Sequence, residues 1–256
     1  MLVAGTPLTP KCHLTYAFAD DSKGWGVDRD NTNNIVQAPG IGNPAIGRAN
    51  PTPVQMWQAW ADAKYGPGVI AFLDWSIPGA TIPSTLNGTA PNLTPLATQL
   101  AMSPIHIDGV ITNLLTNDEY VLGEPVSTYT ANINQLIDTV VSYGAIPIFT
   151  EPSPTCQANA NLFAANGTNA LAYAADLTFS NRGYPALGNL NAWENYTSPP
   201  NGSPWNDEWM SSDCVHENDP GYAEDVSNYA NGSLNSMGNT ESMANVINHM
   251  LQGIDP

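Results

Sequence analysis

Cations are almost missing from this sequence. Its 256 residues hold six Lys and Arg against 23 Asp and Glu, a formal net charge of -17 at pH 7. With only Lys11, Lys23, Lys64, Arg29, Arg48 and Arg182 as fixed positive charges, the chain has too little to neutralise a phosphate backbone, which excludes most nucleic-acid binding. An anionic membrane surface would repel it as well. Long apolar runs are also lacking, and no stretch reaches the roughly 18 apolar residues of a membrane-spanning helix. Cysteine is scarce. Cys12, Cys156 and Cys214 are too few for a disulfide framework and lack the paired spacing of a zinc site, leaving room for one bridge and one free thiol. There is no internal repeat, long linker or charge block, so residues 1–256 read as one domain.

What is present suffices for a core. Hydrophobic residues make up 42% of the chain and charged ones 11%, which separates it from disordered chains of high net charge. Asn, Thr, Ser, Gly and Pro are plentiful, and Asn-x-Ser/Thr sequons begin at Asn87, Asn92, Asn166, Asn195, Asn201 and Asn231. This composition points to an extracellular protein, with a virion-associated phage protein as the alternative. Residues 1–10 do not form the basic-then-apolar pattern of an intact signal peptide.

Four continuous apolar runs, His13 to Ala19, Gly68 to Trp75, Gly109 to Leu115 and Ala145 to Thr150, suit strands buried on both faces of a parallel sheet. Between and after them lie helical patterns. Ile133, Leu136, Ile137, Val140 and Val141 mark a helix over Tyr129 to Tyr143, closed by Gly144. Met243, Val246, Ile247, Met250 and Leu251 mark another, with Asn239 or Thr240 as cap and Gly253 as stop. Val54, Trp57, Trp60 and Ala61 mark a third, before the second strand. Alternating strands and helices imply βαβ units and a parallel sheet, with chemistry beyond the carboxyl ends of the strands. The stretch from about Cys156 to Asp213 reads as long excursions over that face, with room for a fifth strand.

At the strand ends stand residues suited to nucleophilic catalysis. Ser22 follows the first strand at a turn into a helix, where its hydroxyl would be exposed, although taken alone it reads more simply as a capping serine. Gly79 follows the second strand, and Asn117, after the third, carries an amide that could meet a developing negative charge. Asp213 precedes His216 by three residues, a spacing that lets a carboxylate hold an imidazole in one tautomer. The other histidines, His13, His106 and His249, have no expected carboxylate partner and read as structural. Asp28 to Asn31 is polar, yet the glycine and closing glutamate of a calcium loop are missing.

Ser22, Gly79, Asn117 and Asp213/His216 fall in that order at successive strand ends, and the set resembles the SGNH hydrolase superfamily, the GDSL esterases and lipases. Asp20-Asp21-Ser22 is similar to the family's Gly-Asp-Ser block, Leu115-Thr116-Asn117-Asp118 to its Gly-x-Asn-Asp block, and Asp213 to His216 to its Asp-x-x-His block. Pro147 to Pro154 and Glu217 to Tyr222 resemble the stretches that usually accompany them, so the likeness spans about Leu14 to Tyr222. Asp20 and Leu115 stand where the family has glycine.

The resemblance implies a flavodoxin-like three-layer αβα sandwich around a mostly parallel five-stranded sheet. It implies a serine esterase in which Ser22 attacks the ester carbonyl, His216 moves the proton and Asp213 orients the imidazole. The backbone N–H groups of Ser22 and Gly79 and the Asn117 side chain would form the oxyanion hole, with no metal or organic cofactor. In that frame Cys156 and Cys214 border one pocket and are expected to form a disulfide, leaving Cys12 free. Trp25, Trp205 and Trp209, with Trp75 and Trp193, interleave with Asn and Ser, a mixture suited to sugar faces. The expected substrate is therefore an acetylated carbohydrate, with a short-chain or lipid ester as the alternative and a monomer as the expected state. A glycosidase using Glu119 and Glu151 is a weaker reading, since about four or five strand and helix pairs fall short of a barrel's eight. A non-catalytic carbohydrate-binding protein on the same scaffold is a third. Asp20, Asp21, Asp118, Glu119, Asp213, Glu217 and Asp219 are expected to surround the pocket with negative charge that favours neutral esters.

Overall fold

The four apolar runs become the heart of a parallel sheet. In the computed structural model, which describes residues 12–92, 94–153, 170–189, 193, 209–213 and 215–253, the chain runs β1 (Leu14–Phe18), α1 (Ser22–Trp25), β2 (Ile35–Gln37), β3 (Ala45–Gly47), α2 (Pro53–Tyr65) and β4 (Ile70–Asp74). It continues through α3 (Ile82–Asn87), α4 (Leu96–Met102), β5 (Gly109–Thr112), α5 (Thr116–Tyr120), α6 (Val126–Ser142) and β6 (Ile146–Thr150). Then follow α7 (Ala170–Asn181), β7 (Ala186–Leu187), α8 (Asp219–Asn231), β8 (Ser233–Leu234), β9 (Thr240–Glu241) and α9 (Met243–Gln252).

The main sheet has the order β4-β1-β5-β6-β7, and every pairing in it is parallel. Each strand feeds both cores. Leu14, Tyr16 and Phe18 of β1, with Ile111 and Ile148, pack on α2, α8 and α9. Ala17, Val110 and Phe149 face the opposite way, toward α3, α4, α6 and α7. Burial on two faces explains why these strands read as continuous runs, and it yields the three-layer αβα arrangement. β1 lies between β4 and β5, so the chain reverses its direction of travel across the sheet there, and a crevice opens beyond its carboxyl end.

The expected helices form where the periodicity placed them. α2 starts on a reciprocal cap between Thr52 and Gln55 with Pro53 in its first turn, and buries Val54, Trp57 and Ala61. α9 is capped by Ser242, whose hydroxyl accepts from the Asn245 amide at 3.2 Å, rather than by Asn239 or Thr240. Thr240 is not free to cap because β9 pairs it with Leu234 of β8. The fifth strand, β7, is two residues long and adds to the far edge beside β6. The antiparallel β2–β3 hairpin, inserted between α1 and α2, was not foreseen, since Ile35 and Val36 are exposed and carry no buried stripe.

Candidate active site

The turn after β1 is built by carboxylates. Asp20 accepts from the amides of Asp21 at 2.8 Å and Asn113 at 3.3 Å, tying the β1 and β5 ends together. Asp21 caps α1 by accepting from the Lys23 amide at 2.8 Å, which leaves Ser22 as the first helical residue. A side chain at position 20 is accommodated because position 24 has none: a Cβ on Gly24 would fall 2.5 Å from the Asp20 Cβ. Leu115, the other residue in place of a glycine, has φ -154°, a value open to any residue.

His216 reaches this turn from a loop 194 positions later in the chain. Its Nε2 lies 2.8 Å from the Ser22 Oγ, and its Nδ1 lies 2.6 Å from the Asp213 Oδ2. Asp213 also accepts from the Val215 and His216 amides, both at 3.0 Å, and from the Ser211 hydroxyl at 3.0 Å. Burial alone would raise the Asp213 carboxyl, but the hydrogen bond and charge of His216, with the two amides, hold it well below the usual carboxylate range. The three side chains thus form one hydrogen-bonded line.

Ser22, Gly79, Asn117 and His216 border a cavity of about 240 Å³ whose remaining wall is largely apolar, from Val27, Ala38, Pro44, Ile46, Pro78 and Val215. The β2–β3 hairpin and its flanks supply Ala38, Pro44 and Ile46. Gly79 has φ +83°, and a Cβ there would meet only Pro91 at 3.6 Å, so the backbone conformation rather than space calls for glycine. The Asn117 amide is already engaged, donating to Asp21 Oδ2 and to the Ala80 carbonyl, both at 3.0 Å.

Two features beside the line were not foreseen. Lys23 is sealed beneath it: its ammonium donates to Glu217 Oε1 at 2.9 Å, Ser153 Oγ at 2.6 Å and the Ser153 carbonyl at 3.0 Å. This buried ion pair joins the residue after Ser22 to the residue after His216. Arg29 stands at the cavity rim, its side chain 49% exposed, and donates to Asp213 Oδ2 at 3.2 Å. Adjacency to Ser22 and His216 was the only sequence signal for the first; nothing flagged the second.

No family model matches the sequence, and no curated protein does. Solved structures do match. A lipase/acylhydrolase from Enterococcus faecalis superposes with TM-score 0.56 at 17% identity, covering 84% of this chain and 94% of its own. The psychrotrophic esterase EstA from Pseudoalteromonas sp. gives 0.55 at 15%, covering 84% and 94%. A protein provisionally described as an SGNH hydrolase from Slackia heliotrinireducens gives 0.52 at 15%, covering 84% and 95%. The fold is that of the SGNH hydrolases. At these identities the likeness is one of architecture, and it extends over nearly the whole of each of these three chains.

Several sequence expectations change within this SGNH hydrolase fold. Trp25 is buried and borders a neighbouring cavity, not the one at Ser22. Trp209 packs edge-on against Trp193 at 5.0 Å, and Trp193 is a core residue whose indole donates to Asp225 at 2.8 Å. Trp205, Cys156 and Cys214 lie outside the described residues; Cys12 is exposed and free. Glu151 is wholly buried, accepting from the Asn189 amide at 2.9 Å and from Ser236, and takes no part in the cavity wall, which removes the two-carboxylate reading. His106 does have a carboxylate neighbour, Asp108 at 3.6 Å.

The acidic surround is altered most. Asp20, Asp21, Asp118 and Glu217 are buried, not displayed around an opening. Burial pushes the Asp118 carboxyl up to about 8 and Asp21 up to about 6, against the opposing pull of the Lys23 amide and charge on Asp21, and it raises Asp20 well above the usual range. With Glu217 paired to Lys23 and burial holding Asp20 and Asp118 toward their neutral forms, the site carries less negative charge than a count of its acids implies, although Asp21, at about 6, stays mostly ionised at pH 7.

Proposed function

We propose that this chain is a serine ester hydrolase, with Ser22 as nucleophile, His216 as general base and acid, and Asp213 as the group that orients His216. The observation that carries this reading is the continuous line from Ser22 Oγ through His216 to Asp213, at 2.8 and 2.6 Å, opening on a cavity. Asp213 accepts a hydrogen bond from Nδ1–H, which fixes the tautomer that leaves the Nε2 lone pair facing the serine hydroxyl. Ser22 Oγ attacks the ester carbonyl carbon while its proton passes to Nε2. The resulting oxyanion is met by the N–H groups of Ser22 and Gly79 and by an Asn117 N–H that turns from, or is shared with, its present acceptors. The imidazolium then protonates the leaving alkoxide, and water attacks the acyl-serine by the same route in reverse.

The small apolar cavity supports a short acyl group such as acetyl. An acetylated carbohydrate is the substrate we favour, and the composition that points to export agrees with an extracellular polymer as its source. The same apolar wall supports the alternative, a short-chain ester of a small alcohol. Ser22→Ala is expected to abolish hydrolysis of p-nitrophenyl acetate and labelling by a fluorophosphonate while leaving the circular dichroism spectrum unchanged; an unaltered rate would sink the assignment.

A further inference from the structure

A second cavity, of about 290 Å³, lies beside the first. Its lining includes Trp25, Asp74, Trp75, Ser76, Thr94 and Gln99. Ser76 is only 3% exposed, yet its hydroxyl has no hydrogen-bond partner among the described residues. A buried hydroxyl is rarely left unmatched, and since this oxygen is itself covered, a ligand reaches it only if the Ser76 side chain turns toward the cavity. Trp75, half-buried, contributes an indole to the wall.

Charge is cancelled here. Asp74 Oδ2 is 2.5 Å from the Arg48 guanidinium, which also covers the Trp25 ring at 4.3 Å, and Asp74 Oδ1 accepts from the Ser76 amide at 3.1 Å. What remains is the ring surface of Trp75 and the Gln99 carboxamide, which gives one N–H to the Thr94 carbonyl at 2.9 Å and has its oxygen and second N–H unengaged among the described residues. That set suits a neutral polyhydroxylated ring better than an anion or a cation, and the volume sits at the small end for ligand sites.

The two cavities are neighbours in the chain and in space. Trp25 closes the helix that Ser22 opens, about 4.5 Å along its axis. Ala38 and Pro78 line the first cavity, while the next residue, Pro39, and the preceding one, Ile77, line the second. Asn43 ties this shared wall together, donating to the Pro39 carbonyl at 2.6 Å and the Pro78 carbonyl at 2.8 Å.

We propose that this second cavity is a subsite for one neutral sugar ring, which would place the alcohol half of the substrate next to the acyl cavity. The assignment of the ring as part of the substrate rests on the ester-hydrolase reading; the binding itself does not. The test uses full-length Ser22→Ala protein titrated with methyl β-xylopyranoside and methyl β-glucopyranoside, followed by saturation-transfer NMR and tryptophan fluorescence, with cyclohexanol as an apolar ring of similar size. Saturable glycoside binding is expected, weakened about three- to tenfold by Trp75→Ala, and weakened also by Gln99→Ala, a half-buried position that covers the case in which Trp75→Ala does not fold. On wild-type protein, the ratio of kcat/KM for acetylated xylobiose to that for p-nitrophenyl acetate should drop by a similar factor in Trp75→Ala. Absence of saturable binding, equal binding of cyclohexanol, or binding untouched by both variants overturns the subsite. Glycoside binding without ester turnover keeps the subsite and removes the hydrolase; turnover without binding does the opposite.

Discussion

Replacing Lys23 by Met strips the site of the only Lys or Arg side chain buried among the described residues. At the 2.9 Å separation from Glu217, the gross attraction at an effective dielectric of about 20 is roughly 6 kcal/mol, most of it offset by the desolvation of two ions. Truncation leaves the Glu217 carboxylate with no counter-charge in a fully buried position, and breaking such a pair costs about 3–5 kcal/mol. That is a large part of the roughly 5–15 kcal/mol that holds a domain folded. Lys23→Met/Glu217→Gln removes the stranded charge together with its partner, so it should recover much of the loss, with a coupling of about 2–3 kcal/mol in a double-mutant cycle. Urea unfolding at pH 7, followed by fluorescence and circular dichroism, measures all four corners. Because the pair fastens the residue after Ser22 to the residue after His216, kcat for p-nitrophenyl acetate should remain depressed in the double variant even where stability returns. Single-variant losses that add within about 0.5 kcal/mol would refute the reasoning, since they would show that the two side chains do not share one interaction.

Two further outcomes follow from the same interior. The Asp118 carboxyl, raised to about 8 from an unfolded value near 4, gives stability that is complete below about pH 4, declines as pH rises and is gone above about 8, by up to roughly 1.4 kcal/mol per pH unit in that window; thermal midpoints should therefore rise from pH 8 to pH 5, and less steeply in Asp118→Asn. Gly24→Ala, which sets a Cβ 2.5 Å from the Asp20 Cβ, should destabilise by about 1–3 kcal/mol, visible in thermal unfolding, and should cost much less when introduced into an Asp20→Gly background, where the clash is gone.

Much of the fold was legible because burial on both faces leaves an unmistakable trace: β1, β4, β5 and β6 are the four apolar runs. β7 left no trace because two residues at a sheet edge cannot form a run, and the exposed β2–β3 hairpin left none because it faces no core. Ser22, Gly79, Asn117, Asp213 and His216 could be read singly as turn and cap residues; their order along the chain was what set them apart. The Lys23–Glu217 pair escaped because an ion pair across 194 positions has no period: Lys23 looked like a lone cation and Glu217 like one more acid of the pocket's rim. The charge argument went astray for the reverse reason. A count of acids is blind to burial, whereas Asp20 and Asp118 lie where low polarity favours their neutral forms and Glu217 is paired with Lys23.

The 194-position gap between Ser22 and His216 also bears on when the proposed catalytic line can form. During synthesis Ser22 leaves the ribosome long before Asp213 and His216 do. Until they follow, the nascent polypeptide carries an ordinary serine. Under the proposed reading, the reaction becomes available only once this later part of the fold has closed over the earlier one.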